Sequence, residues 1–174
     1  MKRNLFFAGV FATVFLWALV AAAQPATPPT LVTFYSVGKS SKLPFGGGPG
    51  TQPWWGFIWV DDHKITHQRF AGPHFLTIKL SEGDHSIAGE TGGGHEAVAD
   101  KTTISVHGGI RNFVRLASKS NGAPFAPQHH IVEQVPCQQA HSEAASLDPF
   151  KLKRVEKSWL DSVVPESYFP GCEK

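Results

Sequence analysis

The chain predicts a mainly β fold, an antiparallel β-sandwich of about seven strands followed by a short helical and irregular C-terminal tail. Three observations carry this. From Trp54 onward, apolar strand-like runs alternate with polar turns about ten to fifteen residues apart. The turns are built on Gly, Asp and Ser, as in Ser81 to Asp84, Gly92 to Gly94, and Gly108 with Gly109. Beyond Cys137 the pattern changes to alanine-spaced stretches with polar neighbours.

Ahead of the fold stands a segment of another kind. Lys2 and Arg3, the apolar run Leu5 to Val20, and Ala21, Ala22 and Ala23 before Gln24 have the layout of a secretory signal peptide. The run is about 16 residues, short of the roughly 20 needed for a permanent span. Residues 1–23 are therefore read as a signal cleaved near Ala23, and the product as exported, periplasmic or secreted, and soluble without a permanent membrane span. An uncleaved leader kept as an anchor is the alternative. No Cys follows the leader for lipid attachment. Residues 24–30, with Pro25, Pro28 and Pro29, form an extended leader outside the fold.

Removing the signal from 174 residues leaves about 151, the size of one domain with a self-sufficient core. Of 16 Lys and Arg, two leave with the signal, so the rest balance the 14 Asp and Glu. Basic residues are scattered singly apart from Lys151, Lys153, Arg154 and Lys157, which read as a solvated face. Nucleic acid needs a positive stripe to displace counterions, so it is not an expected partner.

Within the domain, residues 31–136, each strand follows from local composition. Leu31 to Val37 is rich in β-branched and aromatic residues, as a strand buried on both faces would be. Lys42 to Pro53, with four glycines and three prolines, reads as a surface loop unable to hold a helix or a paired strand. Gly56 to Val60, the turn Asp61 to Lys64, and Ile65 to Phe70 form a hairpin. Phe75 to Leu80 alternates and stops at Ser81 to Asp84, where Gly83 supplies a positive φ. His85 to Glu90, Val98 to Val106, Ile110 to Ala117 and Ile131 to Val135 complete the set.

In the tail, residues 137–174, Gln138 to Leu147 predicts a short helix ended before Pro149, and Lys151 to Leu160 a further turn or two. Both are too short to stand alone and must lean on the sheet. Cys137 and Cys172 flank this segment. In an oxidising compartment they pair, closing a loop of roughly 36 residues worth about 3 to 4 kcal/mol on the chain-entropy model.

Three stretches resemble exported bacterial β-domains of the PEGA type. They are Val60, Asp61, Asp62, His63 and Lys64; Leu80 to Ile87 with its G-x-H-x-I step; and Gly109 to Leu116 with its closing G-x-x-x-F-V-R-L strand. Asp62 stands where that family usually has glycine, and Ser81 where it has proline. The resemblance spans about a third of the chain. It implies a β-sandwich in the cell envelope and no catalytic residues.

Nine histidines invite a metal site. His63 and His67 would share a helix face, but along a strand four residues span about 13 Å, too far for two ligands to one ion. Convergence from separate turns leaves His63, His85, His95 and His107, with Asp61, Asp62, Glu82 or Asp84, as candidates. His129 and His130 point to opposite faces of an extended segment. No G-x-S-x-G or H-E-x-x-H motif is present, and Gly92 to Gly94 lead into a strand pattern instead of a phosphate-binding helix. No catalytic residue and no cofactor is implied.

The aromatic cluster is the stronger lead. Along a strand, Trp55, Phe57 and Trp59 share one face while Trp54, Ile58 and Val60 share the other. One face must be core. The other is either covered by Phe150, Trp159 and Phe169 of the tail, or open as a platform for a sugar ring or a partner protein, with Trp54, Trp55 and Trp59 as candidate binding residues. The functional expectation is an exported non-enzymatic domain that binds or scaffolds in the cell envelope, on an envelope protein or a carbohydrate. Its alternatives are a metal-dependent or hydrolytic enzyme using turn His and Asp residues, and a structural subunit assembling through an open sheet edge.

Overall fold

A computed structural model describes residues 29–38, 50–66, 68–90, 99–120, 129–152 and 157–172. Residues 1–28, including the segment read as a signal and most of the proline-rich stretch, lie outside the described residues, as do the first part of the glycine-rich loop, His67, His95, Gly92 to Gly94, Lys153 and Arg154.

Two sheets stack on one core. The first is ordered β10 (His129–Val135), β9 (Asn112–Ser120), β1 (Thr30–Tyr35), β6 (His74–Leu80) and β11 (Asp148–Pro149), with β2 (Gly50–Pro53) also on β9 and β12 (Val163–Val164) also on β6. The second is ordered β4 (His63–Lys64), β3 (Trp55–Val60), β7 (Gly83–Glu90) and β8 (Ala99–Val106), with β5 (Phe70–Ala71) on β3. Val32, Phe34, Ile78, Val114 and Leu116 of the first sheet meet Ile58, Val60, Ile87, Ile104 and Val106 of the second in a continuous buried cluster. Period-two alternation puts these residues inward and their neighbours outward.

The sandwich expected from the turn spacing is present, but it is not purely antiparallel. β1 runs parallel to β9, and β11 parallel to β6. The cause is that the chain changes sheets between β6 and β7, and again between β8 and β9. It therefore re-enters the first sheet beside β1 in the same direction. The turn-rich stretch before Trp54 also needs correction, because Gly50–Pro53 does pair, with β9. β1 occupies β9 only as far as Arg115, and β2 takes the lane from Ala117 onward, an edge position where proline is tolerated. The expected turn Asp61 to Lys64 narrows to Asp61–Asp62 because His63–Lys64 pairs as β4, and the expected return strand Ile65 to Phe70 gives way to the two-residue β5, Phe70–Ala71.

The β3–β4 connection is a two-residue turn, since Val60 pairs with His63. Asp61 and Asp62 take φ of 49° and 64°, as a type I′ turn requires. Gly83, at φ 126°, opens β7 just after the crossing between sheets. The second crossing is held by Asn112, whose side chain accepts from the His107 N–H and donates to the carbonyls of His107 and Ile110.

The far side of the first sheet is covered by the tail. Helix α1 (Cys137–Ala144) turns Ala140 and Ala144 inward, and Phe169 packs edge-on to Tyr35 and Phe75 with centroids 5.5 Å away. The Arg111 guanidinium donates to Glu166 at 2.6 Å, and the Thr77 hydroxyl donates to the other Glu166 oxygen at 2.8 Å. A 3-10 turn, Lys157–Ser162, leads into β12. Cys137 and Cys172 form a disulfide with Cα atoms 5.6 Å apart, tying the end of the tail to the start of α1.

At the rim of the second sheet, the Gln134 side chain pairs with the backbone of Ser105, accepting from its N–H at 3.1 Å and donating to its carbonyl at 2.8 Å. Among the described residues no helix is long and apolar enough to cross a membrane.

Candidate functional site

β3 carries two aromatic faces with different fates. Its inward residues Gly56, Ile58 and Val60 are buried, while Trp55, Phe57 and Trp59 point away from the core, Trp55 being 42% exposed. Cross-strand register places Trp59 beside Lys64 of β4 and Ala88 of β7, and Phe57 beside Glu90. Ser86 and Thr103 continue the same face across β7 and β8.

The charges on this face are arranged around the rings. The Lys64 ammonium lies 4.1 Å from the Phe57 centroid and 5.1 Å from that of Trp59. It also pairs with Glu90 at 2.8 Å, and the same carboxylate oxygen accepts the Trp59 indole N–H at 2.9 Å. The Arg69 guanidinium lies over Trp55 at 4.3 Å. These contacts hold the rings in fixed orientations and place hydrogen-bonding groups at their edges.

Trp54 does not belong to this face. It is fully buried, its backbone N–H donates to the Ser36 hydroxyl at 2.7 Å, and its ring packs on His130 with centroids 4.2 Å apart. Gly89 makes the room, since a Cβ there would stand 2.4 Å from Trp54 Cη2 and 2.5 Å from His130 Cγ. The tail aromatics are elsewhere too. Phe150 packs on Phe70 at 4.8 Å, Trp159 leans on the inter-sheet core, and Phe169 belongs to the far side of the first sheet. The expectation that they cover the outer face of β3 is therefore corrected.

The candidate histidines do not converge. His63 is exposed and bonds the Asp61 carbonyl through Nδ1 at 2.9 Å, and His107 is exposed in the turn after β8. His95 lies outside the described residues. Among the described residues no group of three or more His, Cys, Asp or Glu side chains could hold a metal ion.

His85 is buried, and its surroundings have the outline of a catalytic triad. Nδ1 lies 2.7 Å from the Asp61 carboxylate, and Nε2 lies 3.3 Å from the Ser81 hydroxyl. The closer partner of Nε2, however, is the Ser81 backbone carbonyl at 3.0 Å. A carbonyl can only accept, so a proton on Nε2 goes to the backbone at the shorter distance, and the Ser81 hydroxyl is the weaker of the two contacts. Asp61 also accepts the Ser86 N–H at 2.9 Å. The cluster fastens the Asp61–Asp62 turn to the corner between the sheets.

The groups with shifted pKa values lie on the first sheet and on α1, away from this face. Burial, together with a 2.8 Å hydrogen bond to Glu143, pushes the Tyr35 phenol well above its ordinary range. Burial by itself would raise the Glu143 carboxyl, but hydrogen bonds from Gln139 and Tyr35 and the Arg115 guanidinium outweigh it and hold the carboxyl low. Arg115 is raised, chiefly by its hydrogen bond to Glu133. These groups join α1 to the sheet.

Parity puts Trp54 on the face opposite Trp55 and Trp59, yet sequence reasoning named all three as binding candidates; the burial of Trp54 removes it from that set, and Lys64, Arg69 and Glu90 were missed. The only signal for them is strand register, which brings Glu90 to Phe57 and Lys64 to Trp59. Comparison with family models, with curated proteins and with solved structures finds no match for this chain.

Proposed function

We propose that this protein is an exported, non-enzymatic binding module of the cell envelope whose ligand face is the outer surface of the second sheet, centred on Trp55, Phe57 and Trp59. The observation that carries the reading is the division of β3, in which the chain satisfies its core with Trp54, Ile58 and Val60 and still sets three aromatic rings on the opposite side. A contiguous row of outward-facing rings, one exposed and two half-buried, is the kind of surface that marks an interaction site. Export is supported by the charged, apolar and small-residue order of the first 23 residues and by the Cys137–Cys172 bridge, which suits an oxidising compartment. The likeness to PEGA-type domains points to the same setting.

The test uses the full chain expressed with its leader. Its exported form is expected to begin near Gln24 by mass spectrometry, and to be retained on an envelope fraction by wild type and lost on Trp55→Ala and Trp59→Ala. Retention of both variants at the wild-type level, with native circular dichroism, would overturn the reading.

A further inference from the structure

We infer that the ligand of the β3 face is an extended, uncharged glycan chain, an inference that rests on the binding reading above. The face discriminates between ligand classes by its charge. Lys64 and Glu90 neutralise each other at 2.8 Å, and Lys101 and Asp62 do so at 2.5 Å near the β3–β4 turn. Phosphate-bearing or otherwise polyanionic ligands need uncompensated cations in a row, and among the described residues this face holds its cations in pairs with carboxylates or against rings. An apolar protein patch fits no better, because closing over the face would strip water from the Lys64–Glu90 pair without replacing its remaining hydrogen bonds.

A sugar chain meets the same groups without that cost. The C–H face of a pyranose covers an aromatic ring, while its equatorial hydroxyls can donate to Glu90 and accept from Lys64 and Arg69, so the charged groups stay hydrogen-bonded. Geometry then selects length. Trp55 and Trp59 stand four residues apart on one strand, about 13 Å, with Phe57 between them. A single ring reaches one indole, and only a chain lying along β3 reaches both. Among the described residues, the neighbours on β7 and β8, Ser86, Ala88 and Thr103, are small and raise no wall on that side of the rings to enclose a monosaccharide.

The experiment is calorimetric and tryptophan-fluorescence titration of the oxidised exported chain with chitohexaose and cellohexaose, and with the corresponding disaccharides. At least one hexamer is expected to bind, its disaccharide at least about tenfold more weakly. Trp55→Ala and Trp59→Ala should each reduce hexamer affinity by roughly fivefold. Tyr168→Ala, on an exposed residue of the tail, should leave it unchanged. Failure of both hexamers at millimolar concentration, equal affinity for disaccharide and hexamer, or indifference to both tryptophan variants would overturn the inference. If the hexamers fail while the tryptophan variants still lose retention on the envelope fraction, the glycan assignment falls and the binding reading stands. If retention also survives, both fall.

Discussion

The His85 imidazole and the Asp61 carboxylate lie 2.7 Å apart although 24 residues separate them, and through this contact the β3–β4 turn is joined to the corner where the chain passes from one sheet to the other. His85→Ala removes two hydrogen bonds from a buried site. The expected cost is about 2 to 3 kcal/mol, read from urea unfolding. Ser81→Ala, which keeps the backbone carbonyl that His85 bonds, should change stability by less than about 1 kcal/mol. A larger effect of Ser81→Ala than of His85→Ala would contradict the fastening role.

The two turn aspartates should respond differently to glycine, although both have positive φ. Asp62 is exposed and, among the described residues, its carboxylate meets Lys101 at the surface, so Asp62→Gly relieves the backbone at little loss and is expected to fall within about 1 kcal/mol of neutral, on the stabilising side. Asp61→Gly loses the bonds to His85 and Ser86 and should destabilise by about 1 to 2 kcal/mol. Thermal melts of the pair decide it.

Gly89 is the tightest point of the core. Gly89→Ala drives a methyl group into Trp54 and His130, neither of which has room to move, and should cost about 3 kcal/mol or more. Trp54→Ala should cost about 3 to 5 kcal/mol, in contrast to the small effect on folding expected for the half-exposed Trp55. Equal stabilities for Trp54→Ala and Trp55→Ala would show that the inward and outward faces of β3 have been assigned wrongly.

Much of this was legible before any coordinates. Turn spacing gives two stacked layers, parity divides Trp54 from Trp55, and the pairing expected of the two cysteines is the one observed. What was not legible depends on relations that local composition does not encode. The parallel pairing of β1 with β9 arises from sheet crossings at Ser81 and Gly108, and nothing in those turns states which sheet the chain enters next. Gly50–Pro53 looks like loop because proline and glycine disfavour strands in general, yet β9 offers an edge lane where that penalty is small. Lys64 and Glu90 meet by register across strands that are not neighbours in sequence.

Stability should fall at both ends of the pH scale through one small network. Glu143 is held low in the folded chain, so its contribution is present above the unfolded carboxylate range near pH 4 and is lost as pH drops through the folded value. Tyr35 is held high, so its contribution is present below about pH 10 and is lost as pH rises beyond it. Glu143→Gln should flatten the acid limb of melting temperature against pH, and Tyr35→Phe the alkaline limb.

Reduction of Cys137–Cys172 should cost about 3 to 4 kcal/mol and release the last residues, with Phe169 leaving Tyr35 and Phe75. Calorimetry with and without a phosphine reductant measures the loss. A change in proteolysis confined to residues after Val164 would locate it.

The amide of Gln134 imitates one residue of an adjoining strand. By engaging both backbone groups of Ser105 it seals β8 at that point against a second chain. A polymer of this protein growing by sheet continuation would first have to dislodge that amide, so Gln134→Ala is where unwanted fibrils would be expected to begin.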